Sequence, residues 1–113
     1  MRVDTHEGTI ADPATPQDVE HTVMGLTEVD AAFIVLINGE VSEETYVQAA
    51  GTVAEDFIIE RRDGGAGDHY RGDRRVTAGE LCSMLVGYLR GEPAWDCGLM
   101  WHRVRVYQDP LRA

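Results

Sequence analysis

The sequence predicts an α+β domain in which an antiparallel sheet of about five strands carries an N-terminal and a C-terminal helix on one face, in the order α-β-β-β-β-α-β. Three observations predict it. Strand-like runs at Ala31–Ile37, Thr45–Ala50 and Asp56–Arg61 are separated by connections too short for parallel crossovers. Two segments, from Thr15 and from Thr77, begin with helix-capping residues and continue with one-sided apolar spacing. The length of 113 residues with 43% hydrophobic content suits one core but not two.

Residues 1–14 lack periodicity and are expected to form a loose N-terminal arm, so that the domain runs over 15–113. Thr15-Pro16-Gln17-Asp18 opens the first helix: Thr15 caps it, Pro16 suits the first helical position, and Asp18 meets the positive end of the dipole. Val19, Val23 and Leu26 then fall on one side, and the helix ends between Gly25 and Thr27. The run Ala31-Ala32-Phe33-Ile34-Val35-Leu36-Ile37 is rich in β-branched residues and stops at Asn38-Gly39, a strong turn signal. It reads as a strand buried on both faces. Two more strands follow, Thr45–Ala50 running to Gly51 and Asp56–Arg61 running into the stretch after it.

The stretch Asp63-Gly64-Gly65-Ala66-Gly67-Asp68-His69-Tyr70-Arg71-Gly72-Asp73 reads as a hairpin loop with a returning strand from His69 to Arg71. Glycine supplies positive φ cheaply, as such a loop requires. A phosphate-binding loop would need these glycines to lead into a helix, with Lys and Ser or Thr at the P-loop spacing, and the sequence offers neither. Thr77 and Glu80 stand at capping-box spacing. Leu81, Met84, Leu85, Tyr88 and Leu89 then make one apolar stripe, closed by Arg90 and Gly91. Leu99 to Val106 reads as the last strand, with Met100, Val104 and Val106 on one face and Arg103 and Arg105 on the other.

Charge narrows the partners. All ten cations are arginine, against twenty acids, for a net charge of −10. Residues 1–60 hold thirteen acids against Arg2 alone, a net of −12, whereas residues 61–113 hold seven acids against nine arginines, a net of +2. A field of this sign repels nucleic acid and steers a basic partner to the acidic half. No apolar run is long enough to span a bilayer of roughly 30 Å, and the N-terminus has no apolar signal core. The chain is therefore expected to be cytoplasmic, without a membrane partner. Cys82 and Cys97 have no Cys-x-x-Cys spacing and read as reduced thiols.

The catalytic chemistries find little support. His6, His21, His69 and His102 are scattered without metal-ligand spacing, and Ser42 and Ser83 stand in no nucleophile elbow. Cys82 lies beside the helix stripe with no adjacent cation, which suits packing better than attack. Glu60 reads either as a buried base or as a solvated strand-end carboxylate. No catalytic residue, metal or cofactor is expected. The candidate partner-binding residues are Glu40, Glu43 and Glu44, with Glu55 and Asp56, in the turns beside the first strands, together with Trp95. An alternative is a ligand pocket between the C-terminal helix and the sheet, lined by His69, Tyr70, Trp101 and His102. A third reading is an accessory subunit that pairs with itself through an exposed sheet edge.

The stretch Leu81 to Trp101, L-C-S-M-L-V-G-Y-L-R-G-E-P-A-W-D-C-G-L-M-W, resembles the ending of the first-named family of bacterial polymorphic-toxin immunity proteins, common in actinobacteria. In that ending an amphipathic helix closes on a Tyr-Leu-x-x-Gly-like turn, followed by a proline loop and a tryptophan-bearing strand. Tyr88-Leu89-Arg90-Gly91-Glu92-Pro93 and Trp101 take those places. The resemblance implies a non-catalytic inhibitor, monomeric or homodimeric, that binds a cognate toxin with a basic cleft, such as a nucleic-acid-targeting deaminase.

Overall fold

The computed structural model describes residues 1–27 and 32–104. In chain order the elements are β1 (Arg2–Thr5), β2 (Gly8–Ala11), α1 (Pro16–Met24), β3 (Phe33–Ile37), β4 (Thr45–Thr52), β5 (Asp56–Asp63), β6 (His69–Gly72), α2 (Ala78–Leu89) and β7 (Trp101–Arg103). The seven strands form one sheet in the order β2-β1-β3-β4-β5-β6-β7, with each pair antiparallel.

The α+β class and the antiparallel sheet agree with expectation; the strand count and element order do not. Two strands precede α1, so the sheet has seven strands rather than about five. They come from residues 1–14, expected as a loose arm. Val3 and Thr5 point into the core while Arg2 and Asp4 alternate outward, and β1 is held between β2 and β3. Each strand has only four residues, too short to show a period in the sequence. A backbone bond from Ala14 N–H to Met1 C=O (2.8 Å) closes the segment onto the sheet. The register between β1 and β2 shifts at Val3/Asp4, which leaves Ile10 as a bulged, half-exposed residue. A bulge of this kind twists an edge strand away from further pairing.

Both helices start as the sequence predicts. The Thr15 hydroxyl accepts from Asp18 N–H (3.2 Å) and Asp18 Oδ2 accepts from Thr15 N–H (2.9 Å). Thr77 and Glu80 make the same reciprocal pair at 3.1 and 3.0 Å. α1 buries Val19, Thr22 and Val23, and α2 buries Ala78, Leu81, Met84, Leu85 and Gly87. The helices pack on each other and cover the sheet face carrying Val3, Ile34, Leu36, Val47, Ala49, Phe57 and Ile59, so this layer is the core.

The two-residue period then fixes which side chains meet. Phe57, Ile59 and Arg61 of β5 face the helices, whereas Ile58, Glu60 and Arg62 face the other way. Gly51 allows the β4–β5 turn: its φ is +144°, and a Cβ there would collide with the Asp56 carbonyl oxygen. The last strand is shorter than expected, and Met100, expected within it, precedes it and is 66% exposed. Arg105 and Val106 lie outside the described residues.

The α2 cap generates a paired prediction. Hydrogen bonding from the Thr77 N–H, and next from Arg74, holds the Glu80 carboxyl below its ordinary value. Its folded value lies below its unfolded one, so the stabilisation is present at neutral pH and lost as pH falls through the depressed value. Glu80→Gln should therefore lower the melting temperature at pH 7 and flatten its decline between pH 5 and 3. Thr77→Ala should cost about 1 kcal/mol at pH 7. Thermal melts across this pH range check both; an unchanged acid limb in Glu80→Gln would contradict the assignment.

Candidate functional site

The acidic residues expected to form one partner-binding face divide between two ends of the sheet. Glu40, Glu43 and Glu44 lie in the β3–β4 turn, whereas Glu55, in the β4–β5 turn, and Asp56, the first residue of β5, lie at the far end of β4. β4 has eight residues, which at about 3.3 Å each separates the groups by roughly 25 Å. Within the first group the roles differ again. Glu43 Oε1 accepts from Arg2 Nη1 (2.9 Å), and Glu44 Oε2 meets Arg62 Nη1 at 2.7 Å. Glu40 is exposed. Hydrogen bonds to Glu43 and then to Asp4 raise the Arg2 guanidinium above its already high ordinary value, so it stays charged and fixed.

Glu40 and Glu43, but not Glu44, line an open groove of about 390 Å³ bounded by Met1, Arg2, Asp12, Pro13, Gly39, Glu40 and Glu43. Three acids thus converge where the N-terminal segment meets the β3–β4 turn. Asp12 was not among the sequence candidates. It joins the site only because the first residues fold onto the sheet, and no spacing in the chain signals that.

Trp95, the remaining partner-binding candidate, is half-buried in an aromatic cluster. Its ring meets Tyr88 edge-on at 5.1 Å and Trp101 at 5.8 Å, so much of it supports α2 rather than facing outward. The alternative pocket does not assemble. Tyr70 and Trp101 face the helix side, while His69 and His102 face the opposite side, as alternation along β6 and β7 demands. Cys82 is a free thiol whose pKa is raised, first by burial and then by Glu20, which suits packing. Among the described residues no three His, Cys, Asp or Glu side chains gather into a metal-holding group, and no helix is long and apolar enough to cross a membrane. A second open groove, of about 370 Å³, lies between the β1–β2 hairpin and α1, with His6, Glu7 and His21 on its walls.

Sequence reasoning gave Glu60 two readings, and the structure decides for burial. Its side chain has no exposed surface. Oε1 lies 2.6 Å from His69 Nε2 and accepts from Gln48 Nε2 at 3.2 Å, while Oε2 accepts from Arg71 Nε at 2.7 Å. The register places Gln48, Glu60 and Arg71 side by side across β4, β5 and β6. A polar residue on the same parity in three neighbouring strands was the available signal, but it needs the register to be read. His69 is equally buried, and its ring meets Tyr46 edge-on at 6.3 Å. This network binds strands together; its groups are engaged with one another.

Removing one member of a buried charged network leaves its partners uncompensated, at a cost of about 3–5 kcal/mol. Glu60→Ala should therefore lower the melting temperature by roughly 10 °C or more. Glu55→Ala in an exposed turn should shift it by no more than a degree or two, given the roughly 0.5 kcal/mol typical of such sites. Equal, small shifts in the two variants would contradict the role given to Glu60.

Comparison with known proteins finds no match to this chain among family models, curated proteins or solved structures.

Proposed function

We propose that this chain is a non-catalytic binding protein of the immunity type, which neutralises a toxin by seating its acidic end in the toxin's basic cleft. The observation that carries the reading is where the opposite charges go. Arg2, Arg62, Arg71 and Arg74 each pair with a carboxylate of the same chain. The acids outnumber them, and Asp12, Glu40 and Glu43 converge on one groove at the end of the sheet. A surface of that kind accepts Lys or Arg side chains from a cleft built to hold nucleic acid.

The groove end is the binding end in this reading; Glu55 and Asp56 act only through the long-range field. The order of α2, the Pro93 loop and Trp101 on β7 is what the resemblance to immunity proteins implies, and it supports the reading. A net charge of −10 disfavours nucleic acid itself as partner. The protein acts in the cytoplasm in this account, as a monomer or homodimer.

Charge reversal at each end tests the proposal. A tagged chain is used to capture its toxin from lysate of its own source, and the captured toxin is then titrated against variants. Glu40→Lys should weaken binding by about tenfold or more, with an unchanged melting temperature, because like charge at an interface is strongly penalised. Glu55→Lys should weaken it by no more than about twofold, as expected for a remote charge in salt. Equal affinity for Glu40→Lys and the unaltered chain would remove the groove from the account.

A further inference from the structure

We propose that Arg61, framed by Tyr70 and Trp101, forms an oxyanion-binding site for the carboxylate or phosphate of a small aromatic ligand. The guanidinium carbon lies 5.1 Å from the Tyr70 ring centre and 4.9 Å from that of Trp101. Stacking uses the faces of the guanidinium and leaves its in-plane N–H donors to meet an acceptor. Arg2, Arg62, Arg71 and Arg74 have a carboxylate within 3.0 Å. Arg61 differs: the nearest carboxylate oxygen, on Asp63, is 3.9 Å from its Nε. Nε itself is buried without a hydrogen-bond acceptor among the described residues, while the side chain as a whole is 27% exposed. Arg61 therefore keeps an unused donor at Nε, between two rings, on a side chain that reaches solvent in part.

The surroundings are fixed in the same way. Trp101 Nε1–H donates to Asp96 Oδ2 at 3.0 Å, which sets the ring orientation. Arg103 stands directly opposite Tyr70 in the β6–β7 register, as Arg61 does in the β5–β6 register. Tyr70 is thus the register partner of two arginines, and Arg103 is anchored by donating Nε–H to the Gly67 carbonyl at 2.6 Å. The acids nearby are Asp63, too distant from Nε for a hydrogen bond, and Asp96, already bonded to Trp101. Half-buried aromatic rings beside a planar donor fork suit a flat anion better than a bare one. This site spans β5 to β7 and shares no residue with the lining of the acidic groove.

The test titrates benzoate and phenyl phosphate into the full chain, reading tryptophan fluorescence and the Arg61 Nε–H signal by NMR. Saturable movement of both signals is expected, and the tighter of the two probes identifies the source of the oxyanion. Arg61→Gln should bind about tenfold more weakly or worse, and Arg61→Lys, which keeps charge but loses the fork, should also weaken. The proposal is overturned if the Arg61 signal of the unaltered chain does not saturate with either probe, a readout that needs no variant to fold. It is equally overturned if Arg61→Lys binds as tightly as the unaltered chain, since diffuse positive charge would then suffice.

Discussion

The Glu60 carboxylate accepts hydrogen bonds across the face of the sheet opposite the helices, and three strands depend on it. Gln48 on β4, and His69 and Arg71 on β6, all turn toward this one group on β5. A buried carboxylate is tolerable only with such company. A one-residue slip of β5 would carry Glu60 to the helix side, among Leu81, Met84 and Leu85, and turn Phe57 and Ile59 away from the core. The network therefore fixes the register, and the register determines what every other residue of β5 does. Arg61 is sent to the helix side, where it lies over Tyr70 and Trp101, and Arg62 to the far side, where it meets Glu44.

The same arrangement draws some of the arginines onto carboxylates of the same chain. Arg62 and Arg71 are drawn onto carboxylates from the acidic half, and Arg2 is held at the N-terminus by Asp4 and Glu43. The ion pairs tie β1 and β5 to the β3–β4 turn and β6 to β5. The partly exposed pairs among them, Arg2–Glu43 and Arg62–Glu44, add little stability individually, typically below about 1 kcal/mol. Their larger effect is to set the sign of the field a partner meets.

Much of this was legible where a local rule coincides with the global structure. Thr15-Asp18 and Thr77-Glu80 announce their helices because a capping box is satisfied within four residues. The glycines after Asp63 announce a hairpin because a turn is likewise local. Legibility fails where meaning depends on register or on contact between distant segments. β1 and β2 are invisible because Val3 finds its place only against Leu36. The expected pocket paired His69 with Tyr70, which alternation sends to opposite faces. The expected acidic face gathered Glu43 with Glu55, close in the chain but separated by the full length of β4. Asp12 reaches the groove from a segment whose sequence shows no period.

The central claim is that an outward-facing acidic end recognises a basic protein cleft. The most direct measurement is the recovery of a toxin by the tagged chain at about 50 mM salt and again at a concentration where the screening length falls to a few ångströms. Recovery of one toxin-like protein, reduced severalfold at the higher salt, is what the account predicts. Recovery of the same protein to the same extent at both concentrations would contradict it, and would assign the binding to an uncharged surface.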